Sequence, residues 1–405
     1  MKKLFACMLA LSIIFAFAAC EPAVEPTEPS VPPATQETSP STEPSTTQAP
    51  TENTPVNTVP ENLYSVAMPI TEETAYAEDG TPVFTYSYQT MHLILQDKEV
   101  ADKIIIDFLS KVETTRSDAE HLRSLAEARD HTAIGFIPYS YQLHFDPMRI
   151  DQGVLSMHGH VSQIGEAAHS NTHCMSASYD LVTGDVLTLG SILYHADAKQ
   201  AISDMVVQEL EKQPELNLFE DYKTSVRSRF QRDESIDDDF YFTPTGLCFY
   251  FSPYEIAPYA SGTITVELPY DRLTGIIADA YFPAERTAAS GTLNIGSFED
   301  ADLSGYSQFA ELVITPDATK LLLTATDSVH DVRIKKLYRS DDGQSIIQQK
   351  TIFASNGLSQ TDAILIDGNF DSATPLYSVS CVTGGQSVQY YITNNGGQYS
   401  LTKVD

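Results

Sequence analysis

Residues 21–61 cannot contribute to a packed core, so any fold has to be built from the sequence that follows them. The stretch is rich in proline, threonine and glutamate, contains no aromatic residue, and has only scattered valines as branched aliphatic residues. Such a composition buries too little apolar surface to offset the entropy lost on ordering. Because proline favours extended conformations and the glutamates repel one another, the stretch is predicted to be a disordered, semi-stiff tether.

The residues before the tether have the pattern of a lipoprotein leader. Lys2 and Lys3 precede an apolar run from Leu4 to Phe17, and small residues stand before Cys20. This order is typical of a secretory signal peptide, predicted over 1–20. Its end resembles a bacterial lipobox, which implies cleavage before Cys20 and a diacylglycerol on its sulfur. We therefore expect a lipid-anchored protein on the extracellular face of a Gram-positive membrane; the alternative is an ordinary secreted protein in which Cys20 is incidental.

The charge of the chain limits its partners. The formal net charge is -31, which argues against a nucleic-acid partner because phosphate binding needs the opposite sign. An acidic surface favours solubility and basic partners or divalent cations. After the leader, no apolar run approaches the roughly 20 residues that a membrane helix needs.

Residues 62–285 carry mixed strand and helix signals. The segment 83–95 is rich in aromatic and β-branched residues, which favour strands. Asp97 can cap a helix in which apolar residues recur at helical spacing from Val100 to Val112, and a more polar helical stretch follows. Between 263 and 268 apolar and polar residues alternate, as in a sheet with one solvent-exposed face. These blocks predict an α+β fold, helices packed on a mainly antiparallel sheet, with an N-terminal part over 62–163 and a C-terminal part over 164–285.

The remaining residues, 286–405, are predicted to form a separate all-β domain. Short alternating runs are separated by turn signals such as VTGGQS (382–387) and TNNGGQ (393–398). Glycine and asparagine tolerate the positive φ that tight hairpins need. The pattern is typical of a sandwich-like domain.

Two segments carry a family resemblance. Residues 179–189 read YDLVTGDVLTL, and 240–273 read FYFTPTGLCFYFSPYEIAPYASGTITVELPYDRL. Together they resemble the RsiV-like family of extracytoplasmic domains, found in anti-sigma factors that sense lysozyme and beside the catalytic domain of some peptidoglycan deacetylases. The upstream Gly-Gly-Ala-His of that family is represented by GEAAH at 165–169, with the glycine doublet lost. The resemblance implies binding at the cell surface, to lysozyme or to a cell-wall polymer.

The candidate ligand-binding residues are Tyr254, Pro258, Tyr259 and His169. The first three stand in a proline-punctuated loop between predicted strands, and exposed tyrosines make good interface anchors. The structural alternative is that Tyr254 is packed, while Pro258 and Gly262 shape turns.

A histidine metal site is the main alternative chemistry. His158 and His160 would lie on one face of a strand, and His169 and His173 follow them in sequence, so three histidines could hold zinc. No HExxH motif accompanies them, and we expect no metal. The acidic triplet 237–239 could ligate calcium but lacks the spacing of a calcium loop, so a solvated acidic turn is expected.

Three cysteines remain after the leader: Cys174, Cys248 and Cys381. An odd number leaves at least one thiol unpaired within the chain. A Cys174–Cys248 bridge is one alternative, and buried, inert thiols are the expectation.

These observations predict a non-catalytic binding protein without a cofactor. Nucleophile-elbow, P-loop and dinucleotide motifs are absent from the sequence. The expected ligand is a protein or cell-wall polymer, and lysozyme is the most specific candidate. The alternative is a cell-wall-acting enzyme, or an enzyme accessory, with a metal held near His158, His160 and His169.

Overall fold

The computed structural model describes residues 62–166, 170–195, 197–231, 239–298, 303–340, 345–372 and 374–404. The predicted leader with Cys20, the tether at 21–61 and His169 therefore lie outside the described residues. All described residues belong to one compact unit, Thr58–Asp405.

The helices and strands fall in a mixed order along the chain. The helices are α1 (Lys98–Glu127), α2 (Leu189–Ile192), α3 (Ala198–Glu211), α4 (Tyr222–Gln231) and α5 (Tyr270–Leu273). The strands are β1 (Ser65–Ala67), β2 (Ile70–Tyr76), β3 (Pro82–Gln89), β4 (His92–Ile94), β5 (Tyr139–Ile150), β6 (Val154–Ile164), β7 (Asn171–Asp180), β8 (Phe240–Phe242), β9 (Gly246–Phe251), β10 (Ile264–Pro269), β11 (Leu293–Ser297), β12 (Gln308–Val313), β13 (Thr319–Ala325), β14 (Val329–Arg339), β15 (Ile346–Leu358), β16 (Asp362–Gly368), β17 (Tyr377–Thr383), β18 (Gln386–Asn395) and β19 (Gln398–Lys403).

The first layer is a five-stranded sheet of order β2-β3-β5-β6-β7, on which α1 packs. Asp97 caps α1 by accepting hydrogen bonds from the backbone N–H groups of Glu99 and Val100. The predicted apolar spacing is confirmed, because it places Phe108 in the core with its ring 5.1 Å from that of Phe145 on β5. The more polar helical stretch predicted after Val112 is the second half of α1, which continues without a break to Glu127.

The second layer is a three-stranded antiparallel sheet of order β10-β9-β8, packed against α3 and α4. Along β10 the side chains alternate between buried and exposed, with Ile264, Val266 and Leu268 buried. The alternation predicted over 263–268 is thus present. Burial of each such side chain contributes about 1.5–3 kcal/mol to folding.

The C-terminal residues form two facing sheets that share one core, of order β11-β13-β16-β12 and β19-β18-β17-β14-β15-β1-β4. The predicted hairpins at 382–387 and 393–398 are confirmed as the β17–β18 and β18–β19 turns. Gly384, Gly385, Gly396 and Gly397 all have positive φ, as such tight turns require. The first strand of the described chain joins this part, since Val66 of β1 pairs with Ala354 of β15.

Buried polar contacts join the layers. Arg333 donates to the carbonyl oxygens of Pro147 and Met148 on β5. Arg149, near the end of β5, donates to Asp151 and to the hydroxyl of Tyr270 on α5, each at 2.6 Å. The predicted α+β fold class, with a β-rich C-terminal part, is confirmed. Within the described residues no helix is both long and apolar enough to cross a membrane.

Candidate functional site

The loop that joins β9 to β10, here called the Tyr254 loop (252–262), is folded on itself. Tyr254 N–H donates to the carbonyl of Ala257 at 3.0 Å, and Glu255 N–H donates to the carbonyl of Ser252 at 3.1 Å. Ile256 and Ala257 are buried in the core of the second layer. The sequence YEIAPYA therefore anchors its middle in the core and leaves its flanks at the surface.

Tyr254 occupies an unusual position in this loop. Its φ is 70°, a left-handed conformation that non-glycine residues adopt at a cost, and 63% of the residue is exposed. Its ring lies 5.6 Å from that of half-buried Tyr259, whose hydroxyl donates to the carbonyl of Ser170 at 2.6 Å. The loop thus presents an exposed aromatic ring against a second ring that is fixed.

A buried arginine supports the loop from below. Arg229 on α4 donates to Asp239 at 2.8 Å and to the carbonyl of Tyr250 at 3.0 Å, and it forms an ion pair with Glu255. Burial raises the pKa of the Glu255 carboxyl, although Arg229 opposes that shift. Glu255 also accepts from Ser252 N–H at 3.0 Å, so this network holds both ends of the turn that carries Tyr254.

The segment before α4 lies beside the loop. Phe219 N–H donates to the carbonyl of Ile256 at 2.9 Å, and Phe219 is itself 37% exposed. Glu215, Glu220 and Asp221 of the same segment are exposed. The neighbourhood of the Tyr254 loop therefore combines exposed aromatic rings with negative charge.

A second polar cluster lies on the five-stranded sheet, on the face away from α1. Antiparallel pairing of β6 and β7 sets His160 opposite Cys174, and the His160 Nδ1–Cys174 Sγ distance is 3.6 Å. The His158 ring lies 4.3 Å from the His160 ring and stacks on Tyr241 at 4.5 Å. One ligand-type atom from each of His158, His160 and Cys174 lies within 4.8 Å of the other two. We call these three residues the His–Cys cluster.

Burial controls the protonation of the His–Cys cluster. It lowers the pKa of His158 to about 3, with the neighbouring His160 acting in the same direction, and it lowers the pKa of His160. Burial raises the pKa of the Cys174 thiol. At neutral pH both imidazoles are therefore uncharged and the thiol is protonated.

The structure separates the predicted histidine group. His158 and His160 come together, whereas His173 lies opposite Val161, on the α1 side of the sheet. His169 lies outside the described residues, as do 237 and 238 of the acidic triplet, while Asp239 pairs with Arg229. Pro258 is half-buried and precedes a short 3-10 helix, Tyr259–Ser261.

Two features of these sites were not predicted from the sequence. The first is the support of the Tyr254 loop by Arg229, which no motif indicates. The second is the contact of Cys174 with His160, which the pairing of two strands consecutive in the sequence could have indicated. The described thiols of Cys174, Cys248 and Cys381 are free, and burial raises the pKa of Cys248 and Cys381 to about 11.

Comparisons with known proteins identify one domain. Residues 185–271 match the family described as "Protein of unknown function (DUF3298)", and no curated protein matches the chain. A DUF3298 family protein from Pseudomonas aeruginosa PAO1 is similar in structure, with 18% identity, a TM-score of 0.38, and coverage of 54% of this chain and 97% of its own. A member of the family from Bacteroides fragilis NCTC 9343 has 15% identity and a TM-score of 0.38, with coverage of 54% and 94%. The RsiV-like resemblance stays a prediction. Residues 185–271, which include the Tyr254 loop and Arg229, are a DUF3298 domain.

Proposed function

We propose that this protein is a non-catalytic binding protein of the cell surface, anchored by a lipid at Cys20, whose Tyr254 loop contacts a basic protein ligand. The observation that carries the proposal is Tyr254 itself, which is 63% exposed and held at a φ of 70°. A left-handed tyrosine costs conformational energy, and an exposed ring returns little burial energy to the fold. A ligand contact would account for a tyrosine at this position.

The support beneath the loop favours the same role. Arg229, Asp239 and Glu255 hold the turn from within, so the ring is presented by a pre-ordered backbone. A fixed aromatic anchor loses little entropy on binding and contributes strongly to affinity.

Charge favours a basic partner. The chain carries a formal net charge of -31, and Glu215, Glu220 and Asp221 are exposed on the segment bonded to the loop. Such a surface attracts a basic protein over long range. Lysozymes are often basic, and the RsiV-like resemblance points to the same ligand, so lysozyme is the foremost candidate and a cell-wall polymer is the other.

Titration of lysozyme into the purified full chain tests the proposal. Tyr254→Ala should weaken binding by about 2 kcal/mol, roughly 30-fold, as loss of an interface anchor does. Tyr76→Ala is the matched control, because Tyr76 is also 63% exposed and lies at the end of β2; it should leave affinity unchanged. Affinity should also fall as salt screens the attraction. Absence of binding at low salt contradicts the choice of lysozyme as ligand. Equal effects of the two substitutions contradict the role of the Tyr254 loop.

The anchor has its own test. Replacing Cys20 by alanine should move the protein from the membrane fraction of the producing bacterium to its medium or to an unprocessed precursor, because the sulfur that carries the diacylglycerol is lost. Unchanged membrane association of Cys20→Ala would contradict the lipid anchor and leave the binding test unaffected.

A further inference from the structure

We propose that His158, His160 and Cys174 form a binding site for a thiophilic d10 metal ion, Zn²⁺ or Cu⁺. The three side chains project from one face of the β6–β7 hairpin. His158 and His160 are two residues apart on β6, so they point to the same face, and Cys174 of β7 pairs directly with His160. Their ligand-type atoms lie within 4.8 Å of one another. This site lies outside residues 185–271 and is independent of the proposed binding role of the Tyr254 loop.

The distance between His160 and Cys174 fits a shared ion. Zinc binds cysteine sulfur at about 2.3 Å and histidine nitrogen at about 2.0–2.1 Å in tetrahedral geometry, which places the two ligand atoms roughly 3.5 Å apart. The observed Nδ1–Sγ distance is 3.6 Å, and the thiol and the imidazole form a hydrogen bond that the ion would replace. These two ligands therefore need almost no movement to bind, and a ligand-type atom of His158 lies within 4.8 Å of both.

His158 has an unexplained polar atom. The residue is 6% exposed, and among the described residues its Nε2 has no hydrogen-bond partner. Buried polar atoms are ordinarily satisfied by a protein group, a water molecule or an ion. Stacking on Tyr241 and the approach of Tyr250 at 4.9 Å fix the ring beside the other two ligands.

The donor set selects the class of metal. Two imidazoles and one thiolate suit zinc and Cu⁺, whereas magnesium and calcium require oxygen ligands. Three protein ligands leave a fourth position for water or an added ligand. The hydroxyl of Thr263, 3.3 Å from Cys174 Sγ, lies where it can hydrogen-bond the thiolate. Binding releases the thiol proton to solvent as the sulfur–metal bond forms.

Metal uptake by the purified full chain tests the site. Metal-free protein is incubated with Zn²⁺, or with Cu⁺ under a reductant, and bound metal is measured by elemental analysis after removal of free ion. One equivalent of either ion is expected, and Cys174→Ala or His160→Ala should weaken its binding by roughly 100-fold or more, beyond what loss of a supporting residue costs. Cys381→Ala is the matched control, a buried free thiol in the C-terminal sheet, and should keep full uptake.

A measurement on the unaltered chain keeps the test valid if a variant fails to fold. The rate of alkylation of each free thiol is followed by mass spectrometry with and without the metal. Bound ion should slow alkylation of Cys174 at least about 10-fold, because the sulfur that attacks the reagent is then bonded to the metal, and should leave the rate at the distant Cys381 unchanged. Three results would overturn the proposal: uptake well below one equivalent, uptake that Cys174→Ala does not reduce, or a rate of Cys174 alkylation that neither ion changes.

Discussion

Replacing Tyr254 by glycine separates a binding role from a structural one. Glycine relieves the left-handed strain at φ 70°, worth about 1–2 kcal/mol. It increases the entropy of the unfolded chain, at a cost of about 0.5–1 kcal/mol, and it removes the ring contact with Tyr259, worth about 0.5–1.5 kcal/mol. These effects nearly cancel, so the free energy of unfolding should stay within about 1 kcal/mol of the wild-type value.

A tyrosine that packs the fold would behave differently. Truncating a large buried aromatic side chain costs about 3–5 kcal/mol, and Tyr141→Ala provides that comparison because Tyr141 is fully buried. Urea unfolding of the full chain, followed by far-UV circular dichroism, measures both variants. A loss of 3 kcal/mol or more in Tyr254→Gly, on the order expected for core truncation, would refute the reasoning and restore the structural alternative for Tyr254.

Three further substitutions test the contacts of β5 and β6. Arg149→Met should lower the free energy of unfolding by about 3–5 kcal/mol, because it removes the positive charge that pairs with the 7%-exposed side chain of Asp151 and leaves that carboxylate only the N–H groups of Gly153 and Val154. In urea unfolding the double variant with Asp151→Asn should recover part of that loss. Gly159→Ala should cost about 1–3 kcal/mol by overpacking, because a Cβ would lie 2.6 Å from Phe145 and 2.7 Å from Met175; a melting temperature equal to wild type would contradict this. Burial opposes ionisation of Asp146, but hydrogen bonds from His144 and Thr351 outweigh it and hold its pKa below 3.8. The carboxylate therefore adds stability above that pH that is lost as the pH falls below it, and Asp146→Asn should flatten the acid limb of stability measured by urea unfolding.

The sequence predicts those parts of the fold whose signals are local. The Asp97 cap, the spacing that places Phe108 in the core, and the paired glycines after Thr383 and Asn395 each depend on neighbours in the chain. Physical rules for caps, periodicity and tight turns act at that range. The corresponding helix and hairpins are present in the structure.

Pairing between distant segments lay beyond those signals. Val66 lies in a three-residue strand, too short for a periodic pattern, and its partner Ala354 stands far along the chain. The support of Glu255 by Arg229 likewise arises from packing between α4 and the loop. For the candidate site, the YEIAPYA loop was predicted from the sequence, but no local rule for tyrosine predicts either the exposure of Tyr254 or its left-handed backbone.

The most direct test of the central claim maps the surface that the ligand covers. Hydrogen exchange of the full chain, measured with and without saturating lysozyme, reports which backbone amides become protected. Binding through the Tyr254 loop predicts slower exchange over 252–262 and over the neighbouring segment around Phe219, with β18 and β19 unchanged. Lysozyme binding that leaves exchange in the Tyr254 loop unchanged would contradict the account.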